Sequence, residues 1–404
     1  MPSSRHDDDN NLDALVRELD QTLPEAGRAD VFLERWLSQL RSEGGSDLYL
    51  VAGLPPCVRA SGVVRRLNGP ALSSDEIEEQ LLSALPSHAA RRYRETGLAD
   101  ASLRPASGGR FRLNLHRERG RAAATIRALP TRPPQLSELN LPGIDAILSL
   151  PRGLVLVGGP AGSGKTTTVA ALVDAINRRD AKHIVTIEDP IEYEHTHQKS
   201  VVEHIEVGTD APDFPTALRA VVRQSPDVIV VGEMRDPETM RIALAAGETG
   251  HLVFSTLHTS DVTSTVSRVA DSFPPERQAT IHQELAMALA AVLTQTLVPK
   301  IGGGRVPAAE LLMIGYGARQ HIRRNALQHL HQEMTITRSQ GSFSFEESLT
   351  QLVHRGLIDV HEARARALHR DELESLLRSP AAPTTDRPGS PEAPAGSSPP
   401  PRRR

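Results

Sequence analysis

Residues 154–166 read Leu-Val-Leu-Val-Gly-Gly-Pro-Ala-Gly-Ser-Gly-Lys-Thr. The apolar run Leu154–Val157 leads into Gly159-Pro160-Ala161-Gly162-Ser163-Gly164-Lys165-Thr166. Thr167 then opens a segment with apolar residues at Val169, Leu172, Val173 and Ile176. A buried strand, a glycine-rich turn and a helix, in that order, are the setting that a G-x-x-x-x-G-K-[ST] phosphate loop requires. The glycines let the backbone wrap around phosphate oxygens, and the helix N-terminus adds amide donors and its dipole. Lys165 is placed to contact β- and γ-phosphates, and the Thr166 hydroxyl to hold Mg²⁺. The octet predicts a nucleotide site with Mg²⁺, and by itself it does not separate a kinase from a GTPase or a motor ATPase.

Working outward, three more short apolar runs follow the loop: Ile184–Ile187, Val228–Val231 and Leu252–Phe254. Such runs alternating with helical segments predict parallel strands covered on both faces, an α/β doubly wound sheet. Ligands in that class collect at the C-terminal ends of strands. Ile184–Ile187 ends in Glu188-Asp189-Pro190-Ile191-Glu192, and Val228–Val231 ends in Gly232-Glu233. A Glu just past a buried strand can orient the attacking water and help hold hydrated Mg²⁺. Helix capping is the competing use for these carboxylates. Leu252–Phe254 continues to His258, placed to sense the γ-phosphate or the water, while His251 reads as structural.

Composition narrows the class. The 404 residues are 39% hydrophobic and 24% charged, as in a globular chain of two or three domains. Lys and Arg number 46 against 50 Asp and Glu, a net charge of −4, so no basic field points to nucleic acid. One Trp, four Tyr and seven Phe are too few for a base-stacking platform. The lone Cys57 excludes an intrachain disulfide framework or a cysteine-built zinc site and fits a cytoplasmic setting. The N-terminus has no apolar signal region. The longest apolar run, Leu285–Leu293, is about half of what a spanning helix needs. Membrane association is therefore expected only through partners.

Residues 1–28 form a polar extension with one amphipathic stretch at Leu12, Leu15, Val16 and Leu19. Residues 29–130 mix helices at Val31–Leu40 and Ser73–Leu85 with strands near 47–51 and 62–64. A hairpin at Arg110–Leu115 and Ala122–Leu129 completes a small α+β domain. Prolines at 130, 133, 134 and 142 mark 131–150 as a linker. The ATPase domain runs over 151–378, mainly helical beyond 305. Residues 379–404, with 8 of the 30 prolines, predict a disordered tail.

Taken in order, Gly159–Thr166, Thr186–Glu192, Val231–Asp236 and Glu248–His258 resemble the Walker A, Asp box, atypical Walker B and His box of bacterial secretion and type IV pilus ATPases. The resemblance spans residues 30–375 and is nearest the PilT/PilU-like retraction branch. Flanking matches include Ser46-Asp47-Leu48-Tyr49-Leu50, with Tyr49 where His is usual, and Arg110-Phe111-Arg112-Leu113-Asn114. It implies a PAS-like first domain, a RecA-like second domain, and a homo-hexameric ring with ATP between the domains. It further implies a pilus inner-membrane platform protein as partner, possible pairing with a paralogous motor, and a location at the cytoplasmic face of the inner membrane. Arg112 and Arg127 match the family's nucleotide-reaching arginines, with Arg117 or Arg119 next; for Arg117, Arg119 and Arg121 a solvated strand face is the alternative. A zinc-binding tetracysteine insertion marks the extension relatives, so the single cysteine favours retraction.

The resemblance implies Glu233 as general base and Glu188 as its assistant in an ATP-hydrolysing motor. A nucleic-acid translocase and an accessory nucleotide-binding paralogue are the alternatives. The accessory reading draws on Gly317–Arg324, where Ala318, His321 and Arg324 replace the Ile, Leu and Glu of the segment tied to retraction. Ala161 replaces a common Thr at a loop position where backbone matters more than side chain.

Overall fold

The computed structural model describes residues 25–378. The amphipathic stretch Leu12–Leu19 and the proline-rich stretch from Ser379 lie outside the described residues.

The first domain is a six-stranded antiparallel sheet in the order β3-β2-β1-β6-β5-β4. Its strands are β1 (Asp47–Val51), β2 (Cys57–Ala60), β3 (Val63–Arg66), β4 (Leu98–Leu103), β5 (Arg110–Glu118) and β6 (Arg121–Leu129). Along β5, Phe111, Leu113 and Leu115 are buried under the helices, so the pleat turns Arg110, Arg112 and Asn114 to the other face. Arg119 and Gly120 both have positive φ, the backbone that a two-residue hairpin matched to strand twist demands. The helix Ser74–Ala84 starts in a capping box between Ser73 and Glu76.

The second domain carries a seven-stranded sheet in the order β13-β12-β7-β11-β10-β8-β9. Its strands are β7 (Gly153–Gly158), β8 (His183–Glu188), β9 (Val201–Glu206), β10 (Val228–Val231), β11 (Leu252–Leu257), β12 (Leu289–Pro299) and β13 (Arg305–Met313). All neighbours are parallel except β12 and β13. Leu154 and Leu156 of β7 enter the core on one face, and Val155 and Val157 the core on the other. Burial on both sides is why these strands read as unbroken apolar runs.

Three expectations change here. The region beyond 305 opens with a nine-residue strand, β13, rather than a helix. It pairs with β12, which begins inside the apolar run Leu285–Leu293. Ala and Leu in both segments, with Glu310 in β13, favour helix locally, and a short apolar run cannot be assigned by periodicity alone; nine rungs of pairing override the local preference. The edge strand β9, Val-Val-Glu-His-Ile-Glu, carries too much polarity to register as a strand in sequence. Finally, the expected linker 131–150 is folded into the second domain: Leu139, Leu141, Ile144 and Ile147 are buried with Val169 and Leu172 of the helix Lys165–Arg179. No helix among the described residues is long and apolar enough to cross a membrane.

Candidate active site

The phosphate loop closes between β7 and the helix Lys165–Arg179. Gly162 and Gly164 have φ of 72° and 89°, conformations open to glycine at little cost. At Gly158 an added Cβ would lie 2.5 Å from Thr259 Oγ1, so the strand end passes where no side chain fits. Lys165 is buried, and its Nζ donates to the carbonyls of Gly159 (2.8 Å) and Pro160 (3.0 Å), folding back on its own loop. Burial pushes the Lys165 ammonium pKa down, opposed by the charges of Glu233 and Glu192. The buried Ser163 hydroxyl has no hydrogen-bond partner among the described residues. Thr167 Oγ1 lies 3.1 Å from the Tyr193 hydroxyl. Thr166 lines a cavity of about 30 Å³ together with Thr186, Glu188, Gly232 and Thr256.

Glu233 stands just past β10, largely buried, with Arg235 Nη2 at 2.6 Å. His258, past β11, connects it to the loop: Nε2 is 3.9 Å from Glu233 Oε2 and Nδ1 is 3.5 Å from Lys165 Nζ. An ammonium is only a donor, so Nδ1 faces it as acceptor and the ring proton belongs on Nε2. Burial first and Lys165 second push the His258 pKa down, keeping the ring neutral at physiological pH. His251 bonds the Ala246 carbonyl at a helix end, away from the loop.

The carboxylates after β8 divide. Glu188 is buried and tied to Thr186, whose hydroxyl meets His204 Nδ1 at 2.9 Å. His204 Nε2 accepts from the His195 amide, so the proton of this neutral ring sits on Nδ1. Burial raises the Glu188 carboxyl to about 7. Glu192 instead bears electrostatically on Lys165 and on Arg127. Its backbone N–H donates to Glu188 Oε2 at 3.3 Å. No helix follows β8, which removes the capping role for Asp189 and Glu192; Asp236 and Asp261 cap the helices after Glu233 and His258.

Arg112 and Arg127 sit directly opposite each other on β5 and β6, with Asp100 3.8 Å from the first and Asp47 2.8 Å from the second. Like charges facing across a strand pair are unfavourable unless an anion is shared. Their charges act on Asp189 and Glu192 of the same chain. Arg117 pairs with Glu78 and covers the Tyr93 ring, Arg119 pairs with Glu118 in the hairpin turn, and Arg121 is exposed. None of these three contacts the Asp box.

Gln295 lies outside the sequence reading, and Arg110, named there within the first-domain arginine run, makes contacts that run did not foresee. Gln295 of β12 donates from Nε2 to the Ser163 carbonyl (2.7 Å) and accepts from Thr168 (2.8 Å), bracing the loop from behind. The polar run Thr294-Gln295-Thr296 interrupts the otherwise apolar strand β12 at its middle, unlike Glu233, which lies past the end of β10. Arg110, on the outward face of β5 with Arg112, bonds the Asp-box backbone.

The sequence pattern of the type II/IV secretion system proteins matches residues 123–338. The chain belongs to this family. Across 326 residues, this secretion-family chain is 41% identical to the type IV pilus retraction ATPase PilT of Pseudomonas aeruginosa, covering 80% of this chain and 95% of that one. It is 35% identical over 347 residues to PilU of the same organism, covering 85% and 91%. The crystal structure of the pilus retraction motor PilT with bound ADP superposes with a TM-score of 0.77, covering 84% of this chain and 98% of that one. The PilT-like ATPase fold and the mixed sheet agree with the α/β expectation.

Proposed function

We propose that this secretion-family ATPase is the motor of a type IV pilus retraction system, hydrolysing ATP to ADP and phosphate and coupling that step to pilus disassembly. The carrying observation is the meeting of Lys165, Glu233, Glu192 and His258 at one edge of the sheet, facing the Arg112–Arg127 pair, in a chain 41% identical to PilT. The loop amides and Lys165 bind phosphates once Lys165 releases the Gly159 and Pro160 carbonyls. Glu233 orients the attacking water and takes its proton, with Glu188 as a buried support. The arginines stabilise charge on the transferring phosphoryl group.

Thr166 and Glu233 offer oxygen donors of the kind Mg²⁺ prefers. Among the described residues no group of three or more His, Cys, Asp or Glu forms a metal cage of its own, which suits an ion arriving with the nucleotide. Bound there, Mg²⁺ would neutralise charge between the phosphates, Thr166 directly and Glu233 through water. A PAS-like first domain, a homo-hexameric ring and a pilus platform partner at the inner membrane belong to the same proposal.

The test compares steady-state turnover of the full chain with Lys165→Ala and Glu233→Gln. A loss of about 10²-fold or more in each supports the assignment, and unchanged turnover in both overturns it. An accessory role is the second reading, favoured by the segment 317–324. There the Glu333 carboxylate occupies the space a side chain at Gly317 would need, and His321 lies 3.4 Å from it. Twitching restored to a deletion strain by the Glu233→Gln chain would select that reading over the motor.

A further inference from the structure

Residues 189–195 belong to no helix or strand, yet they reach the phosphate-loop helix, where the Tyr193 hydroxyl lies 3.1 Å from Thr167 Oγ1. Their backbone groups find partners elsewhere. From within the second domain, the amides of Ile191, Glu192 and His195 donate to Glu206 Oε2, Glu188 Oε2 and His204 Nε2. From the first domain comes Arg110, about nine-tenths buried. Its Nη2 donates to the Ile191 carbonyl at 2.8 Å and its Nη1 reaches the Glu192 carbonyl at 3.4 Å. Its Nε lies 3.4 Å from Glu194 Oε1, a carboxylate that Arg104 also pairs with. Ser102 of β4 donates to Glu206 Oε2 at 2.9 Å, the same oxygen that receives the Ile191 amide. The first domain thus holds both sides of residue 191: the carbonyl directly and the N–H through Glu206.

We propose that Arg110 is a positioning residue, a latch through which the first domain holds the Asp-box segment against the phosphate-loop helix, where Tyr193 meets Thr167. The planar guanidinium is suited to this use because its fork spans two consecutive carbonyls while its charge persists under burial. A lysine carries the charge but not the fork. Withdrawal of the first domain would free the carbonyls of Ile191 and Glu192 together, so hydrolysis is confined to the docked arrangement. Arg110 acts on the Asp-box backbone and through its ion pair with Glu194. The kinetic consequence rests on the ATPase reading, whereas the structural one does not.

The test uses the full chain without nucleotide, compared by hydrogen–deuterium exchange as wild type, Arg110→Ala and Arg110→Lys. Exchange over 191–195 should rise about tenfold or more in the alanine variant and less in the lysine variant, with the helix 165–179 unchanged. In turnover assays, kcat should fall about tenfold or more for alanine, with partial recovery for lysine, while KM and the affinity for a fluorescent ADP analogue stay within about twofold. Wild-type exchange over 191–195 in a folded alanine variant overturns the latch. So does an equal loss of kcat, affinity and melting temperature in both variants, which marks general structural support. If the alanine variant does not fold, the lysine variant decides: intermediate exchange supports the latch and wild-type exchange overturns it. Absence of turnover in the wild type would instead refute the proposed function, and the exchange comparison would still decide the latch.

Discussion

The phosphate loop and the Asp-box segment face each other across the same site but are held by opposite means. The loop's shape comes from its own sequence: glycines at 159, 162 and 164 with positive φ, a strand behind and a helix ahead. The segment 189–195 that ends the Asp box belongs to no helix or strand, and its peptide groups are claimed by Glu188 at the end of β8, His204 and Glu206 of β9, and Arg110 of β5. A loop built locally can be preformed before any nucleotide arrives. A segment built from remote contacts changes whenever those contacts do, which makes it the natural point for domain movement to reach the chemistry.

The largest test of this contrast is kinetic. Glu192→Gln should lower kcat by about 10²-fold with nucleotide binding largely retained, because it removes a charge facing Lys165 without touching the loop. Steady-state kinetics and ADP affinity measured together would show it, and loss of affinity instead would mean that the two segments are not separable.

The next test is thermodynamic. Glu188 titrates near 7 when folded against an ordinary 4.5, so between those values the native state keeps a proton that the unfolded chain has released. Its contribution therefore favours the fold most at or below pH 4.5 and declines as pH rises through 7, by up to about 3 kcal/mol. Urea unfolding of wild type and Glu188→Gln across pH 4.5–8 should show this decline in the wild type only; parallel curves would mean that Glu188 is not buried with its proton.

The smallest expected effect concerns the loop's one remote brace. Gln295→Ala leaves the Ser163 carbonyl and Thr168 hydroxyl without their partner and should cost about 1–3 kcal/mol in urea unfolding. If the loop is shaped locally, ADP affinity should move by no more than about threefold; a larger loss would show that its shape too depends on tertiary contacts.

The same contrast governs what could be read from sequence. The loop, the strands β7, β8, β10 and β11, and Glu233 and His258 at their ends were legible because each lies in a contiguous, patterned stretch. Arg112 and Arg127 came from family resemblance, and they stand opposite each other on β5 and β6, each beside its own carboxylate. The bracing role of Gln295 and the backbone contacts of Arg110 were not legible, since each joins residues more than 80 positions apart in the chain. The sequence reading chose Glu188 over Glu192 as the assisting carboxylate, and only the turn of the chain after β8 reveals that Glu188 is the buried one and Glu192 the more exposed. The pair β12 and β13 was missed for a related reason, as pairing partners rather than residue preferences make those strands.

The folding of residues 136–149 onto the phosphate-loop helix has a mechanical consequence. Leu129 ends β6, Pro133 is already buried, and Arg179 of that helix donates to the Leu148 carbonyl at 2.5 Å. Only residues 130–132 remain as a tether between the domains, a length of about 10 Å when fully extended. The first domain can therefore pivot but not travel, and its pivot is anchored to the helix that begins at Lys165. Any swing is delivered as torque at the nucleotide site itself, so a working stroke must come from rotation about a short hinge.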